Sequence, residues 1–259
     1  MSIKPKKSLG QNFLNDRNII DKIIHASGIK SSDEVLEIGA GTGNLTKYIA
    51  DQKPKKIYVI EKDENLANIL EKQFLDKINI IKKDVLKIPN EFYSEKKFLI
   101  LGNLPYNIST KILSNWCLNK KLNVSKMILM FQKEVAERIL AEVDSKEYSR
   151  ITILSKWRFN IKKITDVKPN SFFPKPKVQS TVLEFTPKKE IHTINDPKNL
   201  EKITRIFFSQ RRKMIKKPIN ILFKDSKFNY KKLNINPFDR PQNIDIKKYL
   251  NIVNEYESL

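Results

Sequence analysis

The sequence predicts an α/β chain: a parallel, doubly wound sheet followed by a small C-terminal all-helical domain. Three observations predict it. Short apolar, partly β-branched runs alternate with segments of helical spacing through the first half of the chain. Two further strand candidates flank a Pro-rich loop, and beyond about Pro187 only helical patterns continue. In order, residues 35–38, 57–60, 78–81, 98–101 and 127–131 read as strands buried on both faces. Between them, 44–51, 64–74 and 108–118 read as helices, the last with Ile108, Ile112, Leu113 and Trp116 on one stripe. Strands alternating with helices imply parallel pairing. A helix-like 132–143 precedes 150–157, for which Ser149 is the N-cap candidate. Strands at 161–167 and 178–185, around the loop 169–176, suit an antiparallel edge. The tail carries helical patterns at 200–208 and 246–253. The expected division is therefore 1–187 for the sheet domain and 188–259 for the helical one.

Composition narrows the function classes. The 259 residues are 40% hydrophobic, enough for a substantial core. The longest apolar runs are only a few residues, so no membrane-spanning helix is expected, and the opening MSIKPKKSLG lacks the apolar stretch of a secretory signal. A soluble cytoplasmic protein is therefore expected, and separately a monomer. One cysteine, Cys117, leaves no intrachain disulfide and no multi-cysteine zinc site, and His25 and His192 are too far apart to suggest a local metal pair, so no metal is expected. The net charge of +21, from 50 Lys+Arg against 29 Asp+Glu, points to a polyanion, nucleic acid being the commonest. Charge alone does not decide this, because a Lys excess of 42 to 8 over Arg also follows from nucleotide bias in a genome.

The glycines are more specific. There are six, and three of them, Gly39, Gly41 and Gly43, fall within five residues, after a strand and before a helix. There the backbone turns sharply and approaches a ligand with no Cβ in the way. Such a loop lies at the carboxyl end of the first strand of a doubly wound sheet, where these folds bind nucleosides. Glu61 ends the second strand, where a carboxylate can accept from both ribose hydroxyls; Asp84 follows the third and can face an adenine edge. Each acid alone is more often a helix cap or solvated surface group, but together they stand at successive strand ends. This pattern resembles the Rossmann-like S-adenosylmethionine-dependent methyltransferases, with 37–43 as the cofactor loop. The G-x-G-x-G spacing differs from the G-x-G-x-x-G of dinucleotide enzymes, and the resemblance implies a cofactor without a pyrophosphate.

After the fourth strand comes Gly102-Asn103-Leu104-Pro105-Tyr106. Alone, Asn-Leu-Pro-Tyr could be a strand-terminating turn. Behind a cofactor loop it suits a poor nucleophile, the exocyclic amine of adenine. The Asn103 side-chain oxygen and the carbonyl of Leu104 or Pro105 can accept its two N–H bonds, and Tyr106 offers a face for the base. Attack on the sulfonium methyl would be in line. A paired base cannot reach such a pocket, so the adenine must be unpaired or flipped. Stacking on Phe172 would offset part of the cost, with its neighbour Phe173 in the core.

Residues 7–14, 37–43, 103–109, 132–135, 172–178, Gln210-Arg211-Arg212-Lys213 and Arg240-Pro241-Gln242-Asn243 together resemble the KsgA/RsmA family of small-subunit ribosomal RNA adenine dimethyltransferases. The resemblance implies two methylations on N6 of each of two adjacent adenosines in a hairpin loop near the 3′ end of that RNA, and a role in small-subunit biogenesis. It implies cofactor contacts at Asn12, Leu14, Gly39, Glu61, Asp84 and Asn103, with Gln11 to Leu14 folding over the cofactor as part of a covering segment 1–15, and Gly41 within the loop. It makes Arg211, Arg212 and Lys213 candidates for RNA contact and the immature small subunit a candidate partner. The rivals are a large-subunit RNA adenine methyltransferase of the macrolide-resistance type and a mainly non-catalytic ribosome-assembly factor.

Overall fold

A computed structural model describes residues 5–6, 9–224 and 228–259. Residues 1–4 and 7–8 of the expected covering segment, and 225–227, lie outside the described residues. The chain opens with β1 (Phe13–Leu14) and α1 (Arg17–Ser27), the latter capped where the Asp16 carboxylate accepts from the amides of Asn18 and Ile19. Then follow β2 (Glu34–Ile38), α2 (Asn44–Asp51), β3 (Lys56–Ile60), α3 (Glu64–Phe74) and β4 (Asn79–Ile81). Next come β5 (Phe98–Asn103), α4 (Ser109–Leu118), β6 (Val124–Gln132), α5 (Lys133–Leu140) and α6 (Arg150–Arg158). The remainder is β7 (Phe159–Val167), β8 (Phe172–Phe173), β9 (Ser180–Pro187), α7 (Pro197–Ser209), α8 (Lys216–Phe223) and α9 (Ile246–Glu257).

Seven strands form one sheet in the order β4-β3-β2-β5-β6-β9-β7. The first five are parallel neighbours, and β9 runs antiparallel to β6 with Leu129 opposite Leu183. The buried runs of β2 and β5 are what a sheet covered on both faces requires. From β2 the chain builds outward first through β3 and β4, then returns to β5 on the other side. Where the order reverses, the carboxyl ends of β2 and β5 leave a crevice between them. A core of Val35, Leu70, Leu101, Ile128 and Val182 packs on the sheet, with Ile20 and Ile23 of α1 joining it. The short pair β1 and β8 forms a separate two-stranded antiparallel ribbon, Phe13 opposite Phe173 and Leu14 opposite Phe172. Two-residue strands carry too little periodicity to be read from sequence.

Two compact units divide the chain. One comprises Met1–Leu113, Lys121–Ala136 and Asn160–Pro187; the other comprises Ser114–Lys120, Glu137–Phe159 and Lys188–Leu259. Lys188–Leu259 falls in the second unit together with Ser114–Lys120 and Glu137–Phe159. The reason is packing: α6 lies against α7 and α9, and the rings of Phe207 and Tyr249 meet edge to face with their centroids 5.4 Å apart. The buried Tyr148 hydroxyl donates to the Ile244 carbonyl at 3.0 Å. Past β9 the described residues hold helices and no strand. No described helix is long and apolar enough to cross a membrane.

Candidate active site

Four strand ends and the N-terminal segment converge on one cavity in the first unit. At the end of β2, the Gly39 amide donates to the Ile60 carbonyl at 2.8 Å, drawing this loop beside the end of β3. Gly41 has φ +59°, and a Cβ there would lie 2.8 Å from Phe13 Cδ1, so both backbone and space demand glycine. Its amide donates to Glu61 Oε2 at 3.0 Å, and the Asp63 amide donates to Oε1 at 2.9 Å. Glu61 is therefore held rigidly at the cavity wall. Burial raises its pKa, against the pull of the Asp63 and Gly41 amides.

Asp84, after β4, accepts from the Leu86 amide at 2.9 Å and from Lys62 Nζ at 3.0 Å. Partial burial pushes its carboxyl up, but these two donors outweigh it and hold the group below the ordinary carboxylate range. It thus stays ionised and fixed at the rim. Glu37, inside β2, is only 2% exposed, and its Oε2 has no hydrogen-bond partner. Burial pushes its carboxyl up to about 8, the nearby Thr46 hydroxyl opposes this, and the charge of Glu61 adds to it. A buried acceptor left open on a cavity wall is suited to a ligand carrying positive charge.

The end of β5 supplies the other side. Asn103 Nδ2 donates to the backbone carbonyl of Asn12 at 2.7 Å. That partner is a carbonyl, so the amide must present its nitrogen there and keep Oδ1 at its opposite end. The Pro105 carbonyl accepts the amides of Ile108, at 3.1 Å, and Ser109, at 3.0 Å, at the start of α4. The Leu104 side chain is buried at 1% exposure, so only its backbone can serve a ligand. Tyr106 lines the cavity with its hydroxyl 2.5 Å from Ser180 Oγ, and burial raises its pKa despite that bond.

Besides the Asn12 carbonyl bonded to Asn103, the N-terminal segment is tied down at two further points. Gln11 Nε2 and Lys6 Nζ each lie 3.0 Å from an Asp63 carboxylate oxygen, and the Lys6 amide donates to Gln11 Oε1. Burial raises the Asp63 pKa, but Lys6 and Gln11 reverse the balance and keep it low. Farther along, Asn44 Nδ2 donates to the Leu14 carbonyl at 2.8 Å.

The structure therefore places Gln11, Asn12, Leu14, Gly39, Gly41, Glu61, Asp84, Asn103, Leu104, Pro105 and Tyr106 on one cavity wall. Phe172 is not among them. It is 5% exposed and belongs to the core, whereas Phe173 is 57% exposed, the reverse of the expected assignment. The reason is strand alternation: pairing with Leu14 directs Phe172 inward and its neighbour outward. Glu37 and Asp63 were not singled out as site residues. A carboxylate inside the apolar run Val35-Leu36-Glu37-Ile38 was the available signal for the first, and the N-cap position before α3 for the second. In the second unit, Arg211 is tied to the carbonyls of Ser145 and Lys146, while Arg212 and Lys213 line an open hollow.

Gly41→Ala tests this geometry. Left-handed backbone costs a residue with a Cβ about 1–2 kcal/mol, and the new methyl would push Phe13 outward. Cofactor affinity measured by calorimetry should fall roughly tenfold; an unchanged Kd would mean that the loop does not approach the ligand.

Comparison with known proteins agrees with this geometry. The family model for ribosomal RNA adenine dimethylase matches residues 3–258. A ribosomal RNA small subunit methyltransferase A of Pelagibacter ubique is 53% identical over 261 residues, covering 100% of this chain and 99% of that one. The crystal structure of a dimethyladenosine transferase from Plasmodium falciparum superposes with TM-score 0.82 at 30% identity, over 95% of this chain and 98% of that one. The 23S rRNA methyltransferase ErmE, at 21% identity and TM-score 0.68 over 95% of this chain and 100% of its own, shares the fold. The cavity built from four strand ends, the Asn-Leu-Pro-Tyr turn at its mouth and the match along nearly the whole length agree: the chain belongs to the ribosomal RNA adenine dimethylase family.

Proposed function

We propose that this chain transfers methyl groups from S-adenosylmethionine to N6 of two adjacent adenosines in the hairpin loop near the 3′ end of small-subunit ribosomal RNA. It acts as a cytoplasmic monomer on the immature small subunit. The observation that carries this reading is the Asn103 amide, oriented by the Asn12 carbonyl so that Oδ1 is the end left to accept. The name of the Pelagibacter relative supports the choice of small-subunit RNA, and that of the Plasmodium structure supports dimethyladenosine as product.

The residues present fit the cofactor: the open acceptor on Glu37, the Gly41 turn, Glu61 for a ribose and Asp84 for an adenine edge lie on one wall. When bound, S-adenosylmethionine supplies an electrophilic methyl. The chain's part is alignment and charge. Asn103 Oδ1 accepts one N6 hydrogen. For the second, the Pro105 carbonyl is already occupied by two amides, which favours the Leu104 carbonyl. Together they favour the more tetrahedral amine whose lone pair is free to attack, and alignment of this kind can be worth on the order of 7–11 kcal/mol in the best cases. Tyr106, its hydroxyl held by Ser180, presents a ring to the extruded base.

Incubation with small-subunit RNA and labelled S-adenosylmethionine, followed by mass spectrometry of the digest, should reveal N6,N6-dimethyladenosine at two adjacent positions. Label found only in large-subunit RNA would overturn this reading. For RNA docking, changing Arg212 and Lys213 to Gln should flatten the dependence of log affinity on log salt by about 0.7–0.9 per lost phosphate contact. An unchanged slope would assign both to solvated surface.

A further inference from the structure

We propose that the second unit carries a separate binding site for one unpaired nucleotide of RNA, centred on Phe238. The site is an open hollow in which Arg212, Lys213, Lys216, Lys217 and Arg240 surround three exposed apolar side chains. No acid lines it, and none of the five cations forms an ion pair among the described residues. The apolar members are Phe238 at 67% exposure, Met214 at 52% and Ile221 at 46%.

Phe238 sits on a pinned turn rather than a loose one. Its amide donates to Asn236 Oδ1 at 3.1 Å, and the Asp239 amide donates to the Asn236 carbonyl at 3.0 Å. The turn is in turn fastened to the start of α8: the Ile215 amide donates to the Asp239 carbonyl at 2.8 Å and the Lys216 amide to the Pro237 carbonyl at 3.2 Å. The backbone is thus fixed while the ring remains in water. Phe238 and Arg240 also line an adjoining hollow, with Asp144, Asp239, Gln242 and Asn243.

Five cations without an ion-pair partner among the described residues, set around an exposed aromatic ring, select the occupant by charge. A neutral apolar partner would leave the cations desolvated and unmatched. Paired RNA keeps its bases stacked and would leave the ring uncovered. Single-stranded RNA satisfies both parts, its phosphates meeting the cations and one splayed base stacking on Phe238. The site depends on the proposed ribosomal RNA substrate only for where that nucleotide comes from.

The test uses the full chain and a fluorescently labelled single-stranded RNA dodecamer, with its duplex form and polyglutamate as comparisons. Phe238→Ala and Phe238→Leu should each weaken single-strand binding by about 5- to 150-fold, the equivalent of one stacked base. Phe238→Trp should bind at least as well as the original, and the emission it adds should be quenched by the single strand. The exposed pair Lys216→Gln and Lys217→Gln should lower the salt slope by about 1.4 in total. Undiminished binding by both the Ala and Leu variants would overturn the site, as would displacement of RNA by equimolar polyglutamate, which would make it a groove for acidic protein. The dimethyladenosine assay is read separately: loss of product with the Phe238 effect intact would strike only the proposed reaction, and the converse only this site.

Discussion

Asn103→Ala should reduce methyl transfer by on the order of 10²–10³-fold in kcat, comparable to deleting one preorganised group from an electrostatic catalytic site, while affinity for RNA stays nearly unchanged. The side chain plays two roles through its two ends. Nδ2 is committed to the Asn12 carbonyl, and Oδ1 is the acceptor proposed for the adenine amine. Alanine removes both, so cofactor affinity should also weaken as the N-terminal segment loses one tie, though its latch from Lys6 and Gln11 to Asp63 persists. Asn103→Asp separates the effects. It keeps an acceptor toward the base but sets an anion against the Asn12 carbonyl, and should damage segment closure more than alanine does. Single-turnover rates, cofactor calorimetry and RNA binding read the three consequences independently. A collapse of RNA affinity together with the thermal midpoint would mean that Asn103 holds the fold instead.

Glu37→Gln should make the cofactor-free protein more stable at pH 8.5 by up to a few kcal/mol, a gain that fades to nothing by about pH 3.5. Burial pushes the folded-state carboxyl up to about 8, from an ordinary 4.5 in the unfolded chain, with the Glu61 charge adding to it. Below the unfolded value both states carry the proton and the group contributes no pH dependence. Between the two values the folded chain keeps a proton that the unfolded chain has released, so stability falls as pH rises through this window. Above about 8 both states are ionised and the penalty is complete. Glutamine cannot ionise, and the dependence should vanish with it. Urea midpoints at the two pH values check this; parallel curves for both proteins would mean that Glu37 is solvated. A positively charged ligand beside Glu37 would favour its ionised form, so cofactor binding near pH 7 should release a proton, detectable by calorimetry in buffers of different ionisation enthalpy.

Much of the frame was legible because it rests on local pattern. The helices at 44–51 and 64–74 and the strands entering the cavity follow from runs and periods that need no distant partner. The positions of Glu61, Asp84 and Asn103 follow from the same logic, since a residue just past a parallel strand must emerge on the carboxyl rim. The ribbon of Phe13–Leu14 with Phe172–Phe173 was not legible, because strands this short are defined only by each other. Phe172 and Phe173 were consequently exchanged. Alternation says that neighbours point apart, but only the partner strand says which one faces inward.

The amino-acid sequence alone determined the doubly wound sheet, the glycine turn, the acids at successive strand ends and the Asn-Leu-Pro-Tyr turn, because each depends on residues close together along the chain. Tertiary structure alone decided that Asn12 orients the Asn103 amide across 91 positions, that Asp63 latches Lys6 and Gln11, and that Phe238 is held in the open beside five cations. Hydrogen-bond partners and solvent exposure are properties of which surfaces meet, and that meeting is settled only when the whole core packs.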